Sequence, residues 1–133
     1  MVLIDASAFI EFLNRTGSRA DKAVEQLIVN DEDVAIPDIA LTEILQGIKD
    51  DHEYENIKQT LLTFDILSLK STESYLAAAD LYRQCRKKGL TIRGTIDLLV
   101  AQIALENKAQ LLHKDRDFDT IARVCPLKIY ARL

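Results

Sequence analysis

Residues 95–118 read Thr-Ile-Asp-Leu-Leu-Val-Ala-Gln-Ile-Ala-Leu-Glu-Asn-Lys-Ala-Gln-Leu-Leu-His-Lys-Asp-Arg-Asp-Phe. From Thr95 to Asn107 the stretch is apolar almost all round a helical wheel, the pattern of a helix buried on every side. It feeds Leu111-Leu112, a short and solidly apolar strand. The chain then turns through Lys114 and Asp115 into another helix, Arg116 to about Val124. A buried helix that delivers a fully apolar strand is the crossover unit of a parallel sheet covered on both faces.

The same alternation continues in both directions. Val2-Leu3-Ile4 is a short strand, followed by helices from about Ser7 to Asn14 and from Ser18 to Val29. In the second helix Ala20, Ala23, Val24, Leu27 and Ile28 recur at helical spacing. Val34-Ala35-Ile36 is a strand ended by Pro37. Asp38 then caps a helix to about Lys49, whose apolar stripe is Leu41, Ile44, Leu45 and Ile48. A helix over roughly Tyr54 to Phe64, a strand Ile66 to Leu69, a helix Ser71 to Lys88 and a last strand Leu127 to Tyr130 complete the pattern. The expectation is an α/β fold, a three-layer α/β/α arrangement around a short-stranded parallel sheet, forming one domain over residues 1–133.

Composition narrows the function. A 48% apolar and 29% charged chain is that of an ordinary globular domain able to bury its own core. The net charge of -4 argues against gripping nucleic acid over the whole surface, but leaves room for a local basic patch. Met1 to Ile4 is too short an apolar run for a signal peptide or membrane span. Cys85 and Cys125 lack the spacing of a metal knuckle or redox pair, so they read as small hydrophobes in a reducing cytoplasm.

Ligands of such sheets sit beyond the carboxyl ends of the strands. Acids stand there repeatedly: Asp5 after the first strand, Asp38 after the second with Glu43 about one turn on, and Asp115 and Asp117 after Leu111-Leu112. Asp97 lies in the first turn of the apolar helix. Singly, Asp5, Asp38 and Asp115 read first as helix caps, the usual role of an Asp at a strand-to-helix junction. Asp97 could simply complement a helix dipole with Gly94 as cap. Glu43 falls opposite the apolar stripe of its helix, where solvent exposure explains it. Together they fit less well as caps. At ~4 Å and an effective dielectric of ~20, each carboxylate pair costs about 4 kcal/mol, so a cluster needs water, protons or a cation. Oxygen-only ligands suit Mg²⁺ or Mn²⁺ and not zinc, for which His52 and His113 are too few and too far apart. Such a centre favours phosphate-ester hydrolysis by water, because no nucleophilic Ser, Cys or Lys has an adjacent base. Ser7, two residues after Asp5, could hold a ligand or a phosphate.

Four segments, taken in order, resemble the successive motifs of PIN-domain nucleases: Val2-Leu3-Ile4-Asp5-Ala6-Ser7, Leu41-Thr42-Glu43-Ile44-Leu45-Gln46-Gly47-Ile48, Gly94-Thr95-Ile96-Asp97-Leu98-Leu99-Val100-Ala101, and Asp115-Arg116-Asp117-Phe118. The second resembles VapC-type toxins in particular. The resemblance implies Asp5 and Asp97 as principal Mg²⁺ ligands, Glu43 as the residue that positions or deprotonates water, and Asp115 as fourth acid with Asp117 as its rival. It returns Asp38 to a capping role. His113 departs from the family, which often carries a small hydroxyl residue there. The resemblance also implies a PIN-like fold, RNA as substrate, a homodimer, and a cognate antitoxin whose tail blocks the site.

A basic run fits an RNA substrate. Residues 82–94, YRQCRKKGLTIRG, hold Arg83, Arg86, Lys87, Lys88 and Arg93 without an acid, and lead into the helix of Asp97. Phosphate binding and plain complementation of a helix end both account for it. Lys114 and Arg116, beside the fourth acid, are further candidates. No aromatic residue is interleaved within the run to make a stacking platform. Other small acid-pocket folds fit poorly: a receiver domain needs an Asp where Lys70-Ser71 stands, and a haloacid-dehalogenase phosphatase needs one at Ser7. A PIN-like binding module without turnover, or a housekeeping RNA-processing nuclease, would carry the same motifs.

Overall fold

The computed structural model describes residues 1–130, so the last three positions of the expected domain lie outside the described residues. The elements run β1 (Val2–Ile4), α1 (Ala6–Leu13), α2 (Arg19–Val29), β2 (Val34–Pro37), α3 (Asp38–Leu45), α4 (Asp51–Leu61), β3 (Asp65–Leu67), α5 (Thr72–Lys87), α6 (Thr95–Glu106), β4 (Gln110–Leu112), α7 (Arg116–Ile121) and β5 (Lys128–Ile129). The strands form one five-stranded sheet in the order β3-β2-β1-β4-β5, and every pairing is parallel.

Alternation along each strand splits the core in two. Val2 and Ile4 face one layer with Ile36 and Leu112, packed by Phe9, Val24, Leu27, Ile44 and Leu61 from α1 to α4. Leu3, Ala35 and Leu111 face the other, packed by Leu81, Val100, Ile103, Phe118 and Ile121 from α5 to α7. This is the expected three-layer α/β/α arrangement. α6 sends Leu98, Val100, Ala101, Ile103 and Ala104 inward, which accounts for its nearly unbroken apolar sequence.

Several boundaries differ from the sequence expectation for local reasons. Pro37 is the cap of α3 and Asp38 its first residue, with Oδ1 accepting from the Ile39 amide at 2.8 Å. α3 stops at Leu45 rather than Lys49. The next helix starts earlier than Tyr54, because Asp50 caps it by accepting the Glu53 amide at 2.8 Å, and Asp51 and Glu53 favour its first turn. β3 is confined to Asp65–Leu67, since its partner β2 ends at Pro37, which pairs with Leu67 and has no amide hydrogen to extend the ladder. β5 shortens to the two residues that meet Gln110 and Leu111. α7 ends at Ile121 instead of Val124.

No helix among the described residues is long and apolar enough to cross a membrane. Cys85 and Cys125 are both free thiols, Cys85 buried.

Candidate active site and metal centre

The sheet order reverses at β1. From there the chain steps outward through β2 and β3, then returns to place β4 and β5 on the other side. The carboxyl ends of β1 and β4 therefore open on a shared crevice, the usual ligand position in such sheets. Asp5 leaves β1 and caps α1; its Oδ2 accepts the Ser7 amide at 3.0 Å and the Ser7 hydroxyl at 2.5 Å, and the residue is only 4% exposed. The Ser7 hydroxyl also accepts the Lys114 amide at 2.9 Å, tying the loop after β4 to the start of α1. On that loop Asp115 caps α7, its Oδ1 accepting the Asp117 amide at 3.0 Å. Asp97 arrives on the first turn of α6 after Gly94, the cap. Oxygens of Asp97, Asp115 and Asp117 all lie within 4.8 Å of one another.

Charges in this crevice act on one another. Burial, then the neighbouring charges of Asp115, Asp5 and Asp117, push the Asp97 carboxyl up to about 8, with a hydrogen bond to Asp115 adding to the effect. Burial raises Asp5 as well, although its bonds from Ser7 and the nearby His113 pull the other way. Glu43 is raised by burial and by the charges of Asp5 and Asp115. That last influence locates Glu43 at the same centre. Its Oε1 is shut off from solvent and has no hydrogen-bond partner. The sequence placed Glu43 on an exposed helix face. The structure corrects this, because the side of α3 away from its apolar stripe looks onto the crevice rather than into water.

A buried, unpartnered carboxylate oxygen costs free energy, and several acids crowded together cost more. The donor set is all oxygen, with an orphaned Glu43 atom and an Asp97 carboxyl driven toward protonation. These residues fit a hard divalent cation, which would satisfy the first and replace the proton on the second.

The basic residues divide. Arg93 does not lie free in the groove as a phosphate ligand; its guanidinium bonds Asp115 and Asp117. Lys114 pairs with Glu11 at 2.6 Å. Arg83, Arg86, Lys87 and Arg116 are exposed. Arg83 and Arg93 line a groove of about 550 Å³ with Tyr75, Tyr82, Thr95 and Leu98. Exposed aromatic rings therefore do accompany the basic residues, contrary to the linear reading: Tyr75 stands about two turns before Tyr82 and Arg83 on α5, and Arg86 lies over the Tyr82 ring at 5.9 Å. Helical spacing, not adjacency, was the signal.

Glu11 had no assigned place in the site, and His113 stood only as the strand-end residue that departs from the family's usual hydroxyl. The His113 ring is 8% exposed and packs 5.1 Å from Phe118; Nδ1 accepts the Asp115 amide at 3.0 Å and Nε2 lies 3.2 Å from Asp119. It thus braces Asp115. Glu11 stands one helical turn after Ser7, a spacing that puts both on the same face of α1.

Fold and site together define an α/β protein whose carboxylate centre, at the switch point of a parallel sheet, suits a hard divalent cation. The chain belongs to the PIN domain family, whose profile matches residues 2–124. It is 34% identical over 129 residues to the VapC ribonuclease Mb1587 of Mycobacterium bovis and to the ribonuclease VapC11 of Mycobacterium tuberculosis, covering 96% of this chain and 96% of each relative. The fold matches that of a chain in the crystal structure of VapBC2 from Rickettsia felis bound to a DNA fragment from its promoter, with a TM-score of 0.75, 21% identity and 98% of each chain covered.

Proposed function

We propose that this protein is a divalent-metal-dependent endoribonuclease, the toxin of a toxin–antitoxin pair, acting as a homodimer restrained by a cognate antitoxin. The observation that carries this reading is the Glu43 oxygen, buried and unpartnered at a centre where Asp97 is driven toward protonation. Asp5, Asp97, Glu43 and Asp115 hold Mg²⁺ or Mn²⁺. Asp115 is favoured over Asp117 as fourth acid because it is the one whose charge acts on Glu43, while Asp117 has both oxygens engaged by Arg93. The ion, when bound, neutralises phosphate oxygens and acidifies water.

The chain's own residues do the rest. Ser7 fixes the Asp5 carboxylate through two hydrogen bonds. Glu43, raised above the ordinary range and with Oε1 free of any hydrogen bond, takes the proton of the attacking water on that oxygen. Arg83, Arg86, Lys87, Lys114 and Arg116 offer charge to the RNA backbone beside the acids. Similarity to VapC ribonucleases supports RNA as the substrate, and the VapBC2 complex supports an antitoxin partner.

The test is incubation of the purified protein with mixed RNA in Mg²⁺, Mn²⁺ or chelator. Cleavage that needs the ion and disappears in Asp5→Asn is expected. RNA binding without turnover in either ion would make the protein a binding module instead.

A further inference from the structure

The cation nearest the carboxylate centre belongs to the chain itself. Arg93, in the segment between α5 and α6, lays its guanidinium across two acids: Nη2 donates to Asp115 Oδ1 at 2.9 Å and Nε to Asp117 Oδ1 at 3.3 Å. Both acids belong to the trio whose oxygens lie close enough to share an ion. A guanidinium stays charged at any pH the protein meets, so it is a permanent counter-ion for part of the cluster.

The contact is built to come apart. The Arg93 side chain is 56% exposed, whereas that of Asp117 is 5%. Asp117 keeps a second donor, the Arg93 backbone amide, at 3.2 Å to Oδ2. Asp115 keeps the Asp117 amide at 3.0 Å. Neither acid is stranded if the head group leaves. Arg93 also lines the open groove with Arg83, Tyr82 and Thr95, so a released guanidinium remains beside the acids on a surface able to take a phosphate.

We propose that Arg93 is a placeholder cation: it neutralises Asp115 and Asp117 until a divalent ion binds, then gives up the carboxylates and turns to a phosphate of the bound RNA. Metal and arginine thus exchange on one set of oxygens. The proposal rests on reading the acids as the metal centre of a ribonuclease. It differs from treating Arg93 as a fixed phosphate ligand, because its first partner is the metal site.

Two equilibrium measurements test it without turnover. Calorimetry with Mn²⁺ alone is expected to show Arg93→Gln binding the ion about tenfold more tightly than the wild type, since a competing positive charge has gone. With Ca²⁺ present, the slope of log affinity against log salt for a single-stranded oligouridine is expected to fall by about 0.7 in Arg93→Gln, one phosphate contact being lost. Arg93→Lys, whose ammonium cannot span both acids, keeps the slope and binds Mn²⁺ with intermediate affinity; it also serves if the glutamine variant fails to fold. Equal or weaker Mn²⁺ binding by Arg93→Gln overturns the exchange, as does an unchanged salt slope. A wild-type protein that takes up no divalent ion and cuts no RNA refutes the ribonuclease reading itself.

Discussion

Single carboxyls in this protein trade stability against chemistry. The Asp97 carboxyl is lifted from 3.8 to about 8 by its surroundings, so the folded chain holds a proton there that the unfolded chain releases at far lower pH. The stabilisation is complete below about pH 4 and is lost as pH rises through about 8. Thermal unfolding in chelator should therefore show Tm falling across that window, and Asp97→Asn should flatten the dependence; a Tm that climbs with pH would contradict the assignment. Glu43→Gln is the companion case. Its amide carries no charge into the cluster, so the metal-free variant should melt at or above the wild-type temperature while RNA cleavage falls by about 100-fold or more. Glu43 is also where residue-level reading of the sequence stopped short. Asp5 and Asp115 could be placed together because strand ends of a parallel sheet share an edge, and Asp97, on the first turn of α6, was joined to them by the resemblance. A helical wheel, by contrast, only sorts Glu43 away from the apolar stripe, and cannot say whether the opposite face meets water or other acids. Arg93 was read as a phosphate ligand, and its carboxylate partners stayed hidden for a related reason: they lie 22 and 24 residues further along the chain.

Among the elements, the turns that deliver these groups matter more than the lengths of the helices. α5 ends with Gly89 at φ +73°, its amide donating to the Arg86 carbonyl while the Leu90 amide donates to Cys85. That double closure sends the chain back toward α6 and carries Arg93 to the acids. Gly89→Ala should cost about 1 kcal/mol in denaturant unfolding, from the left-handed backbone alone. A neutral result would show that the turn relaxes without penalty. Ser7 joins two elements at once, holding Asp5 at the start of α1 and the Lys114 amide after β4. Ser7→Ala should lose about 1 kcal/mol and weaken Mn²⁺ binding together, whereas Ser7→Thr should keep most of both. Element types were readable from periodicity throughout. Their ends were not: the stops of α3 and β3 depend on caps and on a partner strand, neither of which a window of residues contains.

For the molecule as a whole, the sheet order brings the acids together, and the proposed cation would complete the site. An ion that binds only the folded form should stabilise it by about 2.7 kcal/mol at a hundred times its dissociation constant, so Mn²⁺ should raise Tm in the wild type and much less in Asp5→Asn. Equal shifts in both would place the ion elsewhere. The overall architecture was legible because short apolar strands separated by helices leave few arrangements open, and the parallel order follows from them. The pairing of β1 with β4 has a temporal consequence. Ser7 and Lys114, joined by a hydrogen bond, lie 107 residues apart. During synthesis the opening aspartate emerges long before the acids that complete its pocket. Under the proposed function, a ribosome-bound chain gains activity toward RNA only once the residues after β4 have left the exit tunnel, and a product of premature termination upstream of β4 lacks Asp115 and Asp117 altogether.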